Sequence, residues 1–196
     1  MTLALKNAQQ KQNDIISSAE SLFLKRGFAA TSMDQIATET GVTKQTVYRY
    51  FPSKNELFAA VMQNLRAGEN RIYRFGEASF EQELLNYGQY LLAFHLRSKT
   101  LGLYRLMLNE GSRQALFDTF KNAGPKQMLQ PLIEFLQQHS QYADLEFSAH
   151  MYATMILAPR NQLLMSGSAR MKTSEQEQHV QKVTRLFLRM IKTKCN

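Results

Sequence analysis

Residues Ser32–Phe51 read S-M-D-Q-I-A-T-E-T-G-V-T-K-Q-T-V-Y-R-Y-F, two short helical segments separated by a glycine. Ser32 with Gln35 has the form of a capping box: the hydroxyl satisfies one free N–H at a helix start and the amide reaches back to another. Gly41 is the residue type that ends a helix in the left-handed conformation, and Thr43 is placed to cap the second segment, which runs through Tyr50. A rotation of ~100° per residue sets Val47, Tyr50 and Phe51 on one side of that segment, with Lys44, Gln45, Tyr48 and Arg49 on the other. One side packs and the other is left to meet a partner. Such a pair of short helices is the sequence form of a helix-turn-helix, whose second helix enters the DNA major groove.

Upstream, Ile15, Ala19, Leu22 and Phe23 recur at helical spacing from Asp14, and Lys25, Arg26 and Gly27 mark a helix end. Downstream, Pro52-Ser53 with Glu56 makes a second capping box that launches a fourth helix, expected to bridge to the rest of the chain. Beyond about Arg66 the helical periods lengthen, over Glu81–Leu96, Leu101–Asn109, Arg113–Asn122, Pro125–His139, Asp144–Met165 and Ser174–Lys194. The chain is therefore expected to be all-α, in three parts. These are an N-terminal arm over 1–13, a helix-turn-helix domain over 14–66, and a larger helical domain over 67–196. Lys6 and Lys11 lie in the arm, open to a minor-groove contact or to solvent.

Composition narrows the function. The 196 residues are 44% apolar and 20% charged, too apolar for a disordered chain. Lys+Arg 24 against Asp+Glu 16 leaves a net charge of +8. Between Val42 and Lys54 the charged residues are Lys44, Arg49 and Lys54, so the excess acquires a location that suits phosphates. The single cysteine, Cys195, allows no intrachain disulfide or cysteine metal cluster. His95, His139, His150 and His179 show no metal-ligand spacing, and no two glycines are close enough to build a phosphate cradle. No serine or cysteine nucleophile context is present. An enzyme, a metal site and a cofactor are thus not expected. The charge-free stretches Leu84–Leu96 and Phe147–Pro159 fall short of the roughly 18 residues that a membrane span needs. With no apolar leader block over Met1–Asn13, a cytoplasmic protein is expected.

The segment from about Ile15 to Met62 resembles the DNA-binding domain of the TetR/AcrR family of one-component regulators. The resemblance runs through Ala19 to Gly27-Phe28, Thr31-Ser32-Met33, Ile36-Ala37, Gly41-Val42, Thr46-Val47-Tyr48-Arg49-Tyr50-Phe51 and Ser53-Lys54-Asn55-Glu56-Leu57. It implies that Lys44, Gln45 and Thr46 face base edges: Lys donates to guanine, Gln bridges adenine and the Thr methyl touches thymine. It also implies that Tyr48 and Lys54 grip phosphates, with Thr31, Ser32 and Thr43 offering hydroxyls or helix-end amides to the same backbone. Arg49 is open to base or phosphate. Tyr50 and Phe51 belong to the core by their position on the helix.

For the second domain the resemblance implies a body that binds an effector and dimerises. Tyr87, Tyr90, Leu91 and Phe94 lie on a helix that is apolar nearly all round, which marks it as buried. Tyr87, Tyr90, Phe94, Tyr104, Met107, Phe120, Met128, Tyr152 and Met155 are the candidate lining of a pocket for a small apolar or aromatic effector, with plain core packing the competing reading. The stripe Val180, Val183, Phe187, Met190 and Ile191 on the final helix wants a partner, with packing on its own domain the competing reading. The family resemblance implies a homodimer through the last two helices, and two reading helices about 34–36 Å apart on a pseudo-palindromic operator in double-stranded DNA. Repression relieved by the effector is expected ahead of activation, because occupying a promoter needs no extra contact with polymerase. A small-molecule binder or interaction protein of the same fold, without DNA binding, is the alternative.

Overall fold

The computed structural model describes residues 3–67, 73–109, 125–139, 144–166 and 170–192, and among them every regular element is an α-helix. Two compact units form. The first holds helices α1 (Leu3–Arg26), α2 (Met33–Thr40), α3 (Lys44–Tyr50) and α4 (Lys54–Ala67), together with α6 (Ser98–Asn109) from Gly102 onward. The second holds α5 (Phe80–His95), the first turn of α6, α7 (Pro125–His139), α8 (Leu145–Ile156), α9 (Ala158–Ser166) and α10 (Thr173–Lys192).

α1 begins at Leu3, so the stretch expected to be an arm is helical over its described residues. Neither Gly nor Pro interrupts it, and its exposed amides bond along the helix, Gln9 Nε2 to Asn13 Oδ1 at 3.2 Å and Gln10 Nε2 to Asp14 Oδ1 at 2.9 Å. Lys25 and Arg26 close the helix at its negative end, and Gly27 leaves it with φ 87°. Ile15, Ile16, Ala19, Leu22 and Phe23 are buried. Phe23 meets Phe28 and Phe58 in a three-ring nucleus with centroids 5.3, 5.6 and 5.4 Å apart. These rings fasten α1 and the turn after it to α4. The division expected at 66/67 is crossed by α6, whose residues from Gly102 go with the first unit. At Gly102 the helix comes near α1, since a Cβ there would stand 2.8 Å from Leu24 Cδ2.

In the second unit the core gathers Leu84, Tyr87, Leu91, Leu92, Leu132, Phe135, Tyr152, Ile156, Val180 and Phe187. α10 lies along α5 and α8, and α8 along α7. Gly88 lets three helices meet closely, since a Cβ there would lie 2.7 Å from the Tyr152 hydroxyl and 2.9 Å from Val180 Cγ1. The helical pattern read as continuous from Asp144 to Met165 is broken at Leu157. Pro159 sits in the first turn of α9, where its missing N–H costs no intrahelical bond. The freed carbonyls of Met155 and Ile156 meet His179 Nε2 at 3.1 and 3.2 Å. α10 starts at Thr173, one residue before the Ser174 expected to open that segment; there Lys172 N–H donates to Glu175 Oε2 at 2.8 Å. The Arg113–Asn122 segment lies outside the described residues.

Candidate nucleic-acid interface

The reading head is set by local bonds. Ser32 Oγ accepts from Gln35 N–H at 3.2 Å and Gln35 Oε1 accepts from Ser32 N–H at 2.9 Å, closing the expected capping box. Gly41 ends α2 with φ 71°. Thr43 Oγ1 accepts from Thr46 N–H at 3.2 Å and shares a 2.9 Å bond with the Thr46 hydroxyl. The second capping box is half built: Glu56 N–H donates to Ser53 Oγ at 3.1 Å, but the Glu56 carboxylate takes the Ser53 hydroxyl and not the cap's backbone N–H.

α3 divides as its periodicity predicts. Val47 and Phe51 are buried, while Thr43, Lys44, Gln45, Tyr48 and Arg49 are exposed; Tyr48 keeps 42% of its surface open. Tyr50 is half-buried, with the Arg49 guanidinium 5.3 Å from its ring centroid. Ser32 is exposed and Thr46 half-buried, with its hydroxyl on Thr43.

Two residues of the expected phosphate-gripping set face inward. Thr31 is fully buried and its hydroxyl donates to the Gly27 carbonyl at 2.7 Å, so it ties the turn between α1 and α2. The Lys54 ammonium donates to the carbonyls of Phe28, Ala29 and Thr31 at 2.8, 3.3 and 2.9 Å. Those three bonds match the three donors of an ammonium. The local field also differs from the one read over Val42–Lys54, because the fold brings in a carboxylate from α2. Asp34 Oδ2 lies 2.9 Å from Lys44 Nζ and holds that amine above the ordinary lysine pKa, first by the hydrogen bond and then by charge. This neighbour stands ten positions before Lys44, upstream of the Val42–Lys54 stretch.

The candidate effector residues divide between the two units. Tyr104 and Met107 are buried but belong to the first unit. Phe120 lies outside the described residues, as does the side chain of Met128. Tyr152 is fully buried and its phenol is satisfied, donating to Leu84 O at 2.7 Å and sharing a 2.8 Å bond with Thr184 Oγ1. It serves the core. Tyr87 is buried against Tyr73 and Phe75, with ring centroids 5.3 Å away in both cases. Burial pushes both phenols above the ordinary tyrosine pKa. Phe94 is buried beside His95, while Tyr90 and Met155 are half-buried. A buried carboxylate that the sequence did not flag, Glu83, accepts from Tyr73 Oη–H at 3.2 Å and Ala78 N–H at 3.3 Å. Among the described residues no group of three His, Cys, Asp or Glu side chains is placed to hold a metal, and no helix is long and apolar enough to cross a membrane.

The expected dimerisation stripe also turns inward. Val180, Val183 and Phe187 are buried in their own unit and Ile191 is half-buried against it. Of that set only Met190 is open, at 47%, and Leu186 beside it is 49% exposed.

Comparison with known proteins places these features. Residues 15–61 match the family model for bacterial regulatory proteins of the tetR family, and residues 82–191 that for the C-terminal domain of AefR-like transcriptional repressors. The chain is 36% identical over 78 residues to the HTH-type transcriptional regulator TtgR of Pseudomonas putida, covering 40% of this chain and 37% of that protein. It is 36% identical over 69 residues to the HTH-type transcriptional activator FasR of Mycolicibacterium smegmatis, covering 33% and 32%. These curated relatives are thus matched over about a third of their length. Whole-chain likeness comes from solved structures. A TetR-family transcriptional regulator from Mesorhizobium loti superposes with a TM-score of 0.79 at 26% identity, over 97% of this chain and 98% of the other. The flavonoid-responsive regulator FrrA gives 0.78 at 27%, over 93% and 97%.

Proposed function

Because the chain belongs to the TetR family of bacterial transcription regulators, we propose that it is a homodimeric repressor of the cytoplasm that grips a pseudo-palindromic operator and lets it go when a small, largely apolar or aromatic effector binds. DNA binding is assigned to residues 14–66, effector binding and dimerisation to 67–196. The observation that carries the reading is the row Lys44, Gln45, Tyr48 and Arg49, exposed on a helix whose opposite side is anchored by Val47 and whose start is capped by Thr43. Lys44 and Gln45 supply donors and an acceptor suited to base edges, and Tyr48 and Arg49 suit phosphates. A two-fold dimer sets two such rows about 34–36 Å apart, one major groove each.

Repression is supported by the AefR-like repressor match over the second half of the chain. An aromatic effector is supported by the flavonoid-responsive relative, together with the ring-rich interior of the second unit. For ligand to act as a release signal, it must bind the DNA-incompetent arrangement more tightly than the competent one. Selection of duplex fragments from a random pool, followed by binding titrations over a range of salt, tests the reading. The expected outcome is a palindromic consensus whose affinity falls steeply with salt. A purified chain that stays monomeric and retains no duplex at low ionic strength overturns it, in favour of a binding protein that keeps the fold alone.

A further inference from the structure

Asp34 and Lys44 face each other across the turn of the reading head, with side chains 61% and 56% exposed and an Oδ2–Nζ distance of 2.9 Å. Asp34 sits in the first turn of α2 and Lys44 opens α3; Gly41, in its left-handed conformation, folds one onto the other. Lys44 is the residue assigned to a base edge, and its amine is bonded to the protein's own carboxylate.

We propose that Asp34 is a specificity-determining residue, which neutralises Lys44 toward the DNA backbone and leaves it able to donate to a correctly placed base. The proposal rests on the DNA-binding reading above. Sequence-independent affinity comes largely from lysines and arginines that neutralise phosphates and release condensed counterions. A lysine already paired with a carboxylate contributes little of that term. An ammonium has three donors, however, and Asp34 takes one. The acceptors O6 and N7 of guanine can take the others in the major groove while the carboxylate stays in place. Asp34 therefore weakens every complex, and the loss is recovered only where a base offers the matching acceptors.

The test uses the full chain with two probes, an operator fragment recovered from the random pool and a scrambled duplex of equal length and composition. Asp34→Asn keeps the side chain's shape and removes its charge; its thermal unfolding checks that the head stays folded. Affinity for the scrambled duplex is expected to rise roughly two- to fivefold, the strength of an exposed ion pair. The slope of log affinity against log salt is expected to steepen by about 0.9, one extra phosphate contact. Operator affinity should rise less, so discrimination falls. Asp34→Glu should restore it. In a Lys44→Gln background Asp34→Asn should leave the slope unchanged, because the charge it frees is gone. The proposal is overturned if Asp34→Asn leaves slope and discrimination at their parent values, or if the slope steepens in the Lys44→Gln background as well. A parent chain that binds neither duplex overturns the DNA-binding reading and the proposal with it.

Discussion

The ammonium of Lys54 sits 4.4 Å from the centroid of the Phe28 ring and donates to that residue's own carbonyl at 2.8 Å. With its bonds to Ala29 and Thr31 it collects the carbonyls of the turn between α1 and α2, and it stands at the first residue of α4. Phe28 belongs to the three-ring nucleus with Phe23 and Phe58. One lysine thus ties the helix before the reading head to the helix after it. Lys54→Met should keep the stem against the ring and lose the bonds, lowering stability by about 1–2 kcal/mol. The salt slope of operator binding should stay as it was. A fall of about 0.9 in that slope would return Lys54 to the phosphates.

Gly88 lies where α5, α8 and α10 pack closely. A methyl there meets the Tyr152 hydroxyl at 2.7 Å, Val180 Cγ1 at 2.9 Å and Ile156 Cδ1 at 3.1 Å. On helix propensity alone Gly88→Ala gains about 1 kcal/mol, but overpacking costs about 1–3 kcal/mol in an interior of fixed shape. The collision involves three partners, one of them a committed phenol, so the loss should win. Denaturant titration should show Gly88→Ala less stable, with part of the deficit recovered when Tyr152→Phe removes the nearest atom.

What the sequence made legible is what acts over a few residues. Ser32, Gln35, Gly41 and Thr43 bond to neighbours three or four positions away, so their roles could be read directly, as could the burial of Val47 and Phe51 from a helical period. Thr31 and Lys54 could not be placed by the same reasoning. The carbonyls that hold Lys54 lie 23 to 26 residues upstream, and a hydroxyl or an ammonium looks the same in sequence whether it turns in or out. Tyr152 is alike in sequence whether it lines a pocket or serves the core, because its acceptor, Leu84, lies 68 residues away. Asp34 escaped because ion pairing across a turn depends on where the second helix points.

Burial of Tyr87 and Tyr152 gives a direction to alkaline behaviour. Both phenols hold their protons above the ordinary tyrosine range, because burial penalises the phenolate. The native state then keeps protons that the unfolded chain gives up above about pH 10. The stability they contribute is complete below that pH and is lost as pH rises toward the folded values. Thermal melts should be insensitive to these groups near neutrality and fall at alkaline pH. Tyr87→Phe should flatten part of that fall; an unchanged alkaline slope would show that the phenol ionises without unfolding.

Leu186 and Met190 stand one helical turn apart and are about half exposed, while Val180, Val183 and Phe187 on the same helix are buried in its own unit. One face of the helix is committed to the fold, and in the proposed homodimer the open face is the one a second copy would meet. The two can be separated by substitution. Phe187→Ala should cost about 3–5 kcal/mol through the cavity it leaves, and its effect should appear in unfolding at every protein concentration. Leu186→Glu with Met190→Glu should leave the protomer folded, because neither side chain is core. Two carboxylates on each side of a two-fold contact would face their copies, and light scattering should then report a monomer. Operator affinity should fall with dimerisation, since a lone protomer engages one half-site. A double variant that remains dimeric would move the interface to another face of the second unit.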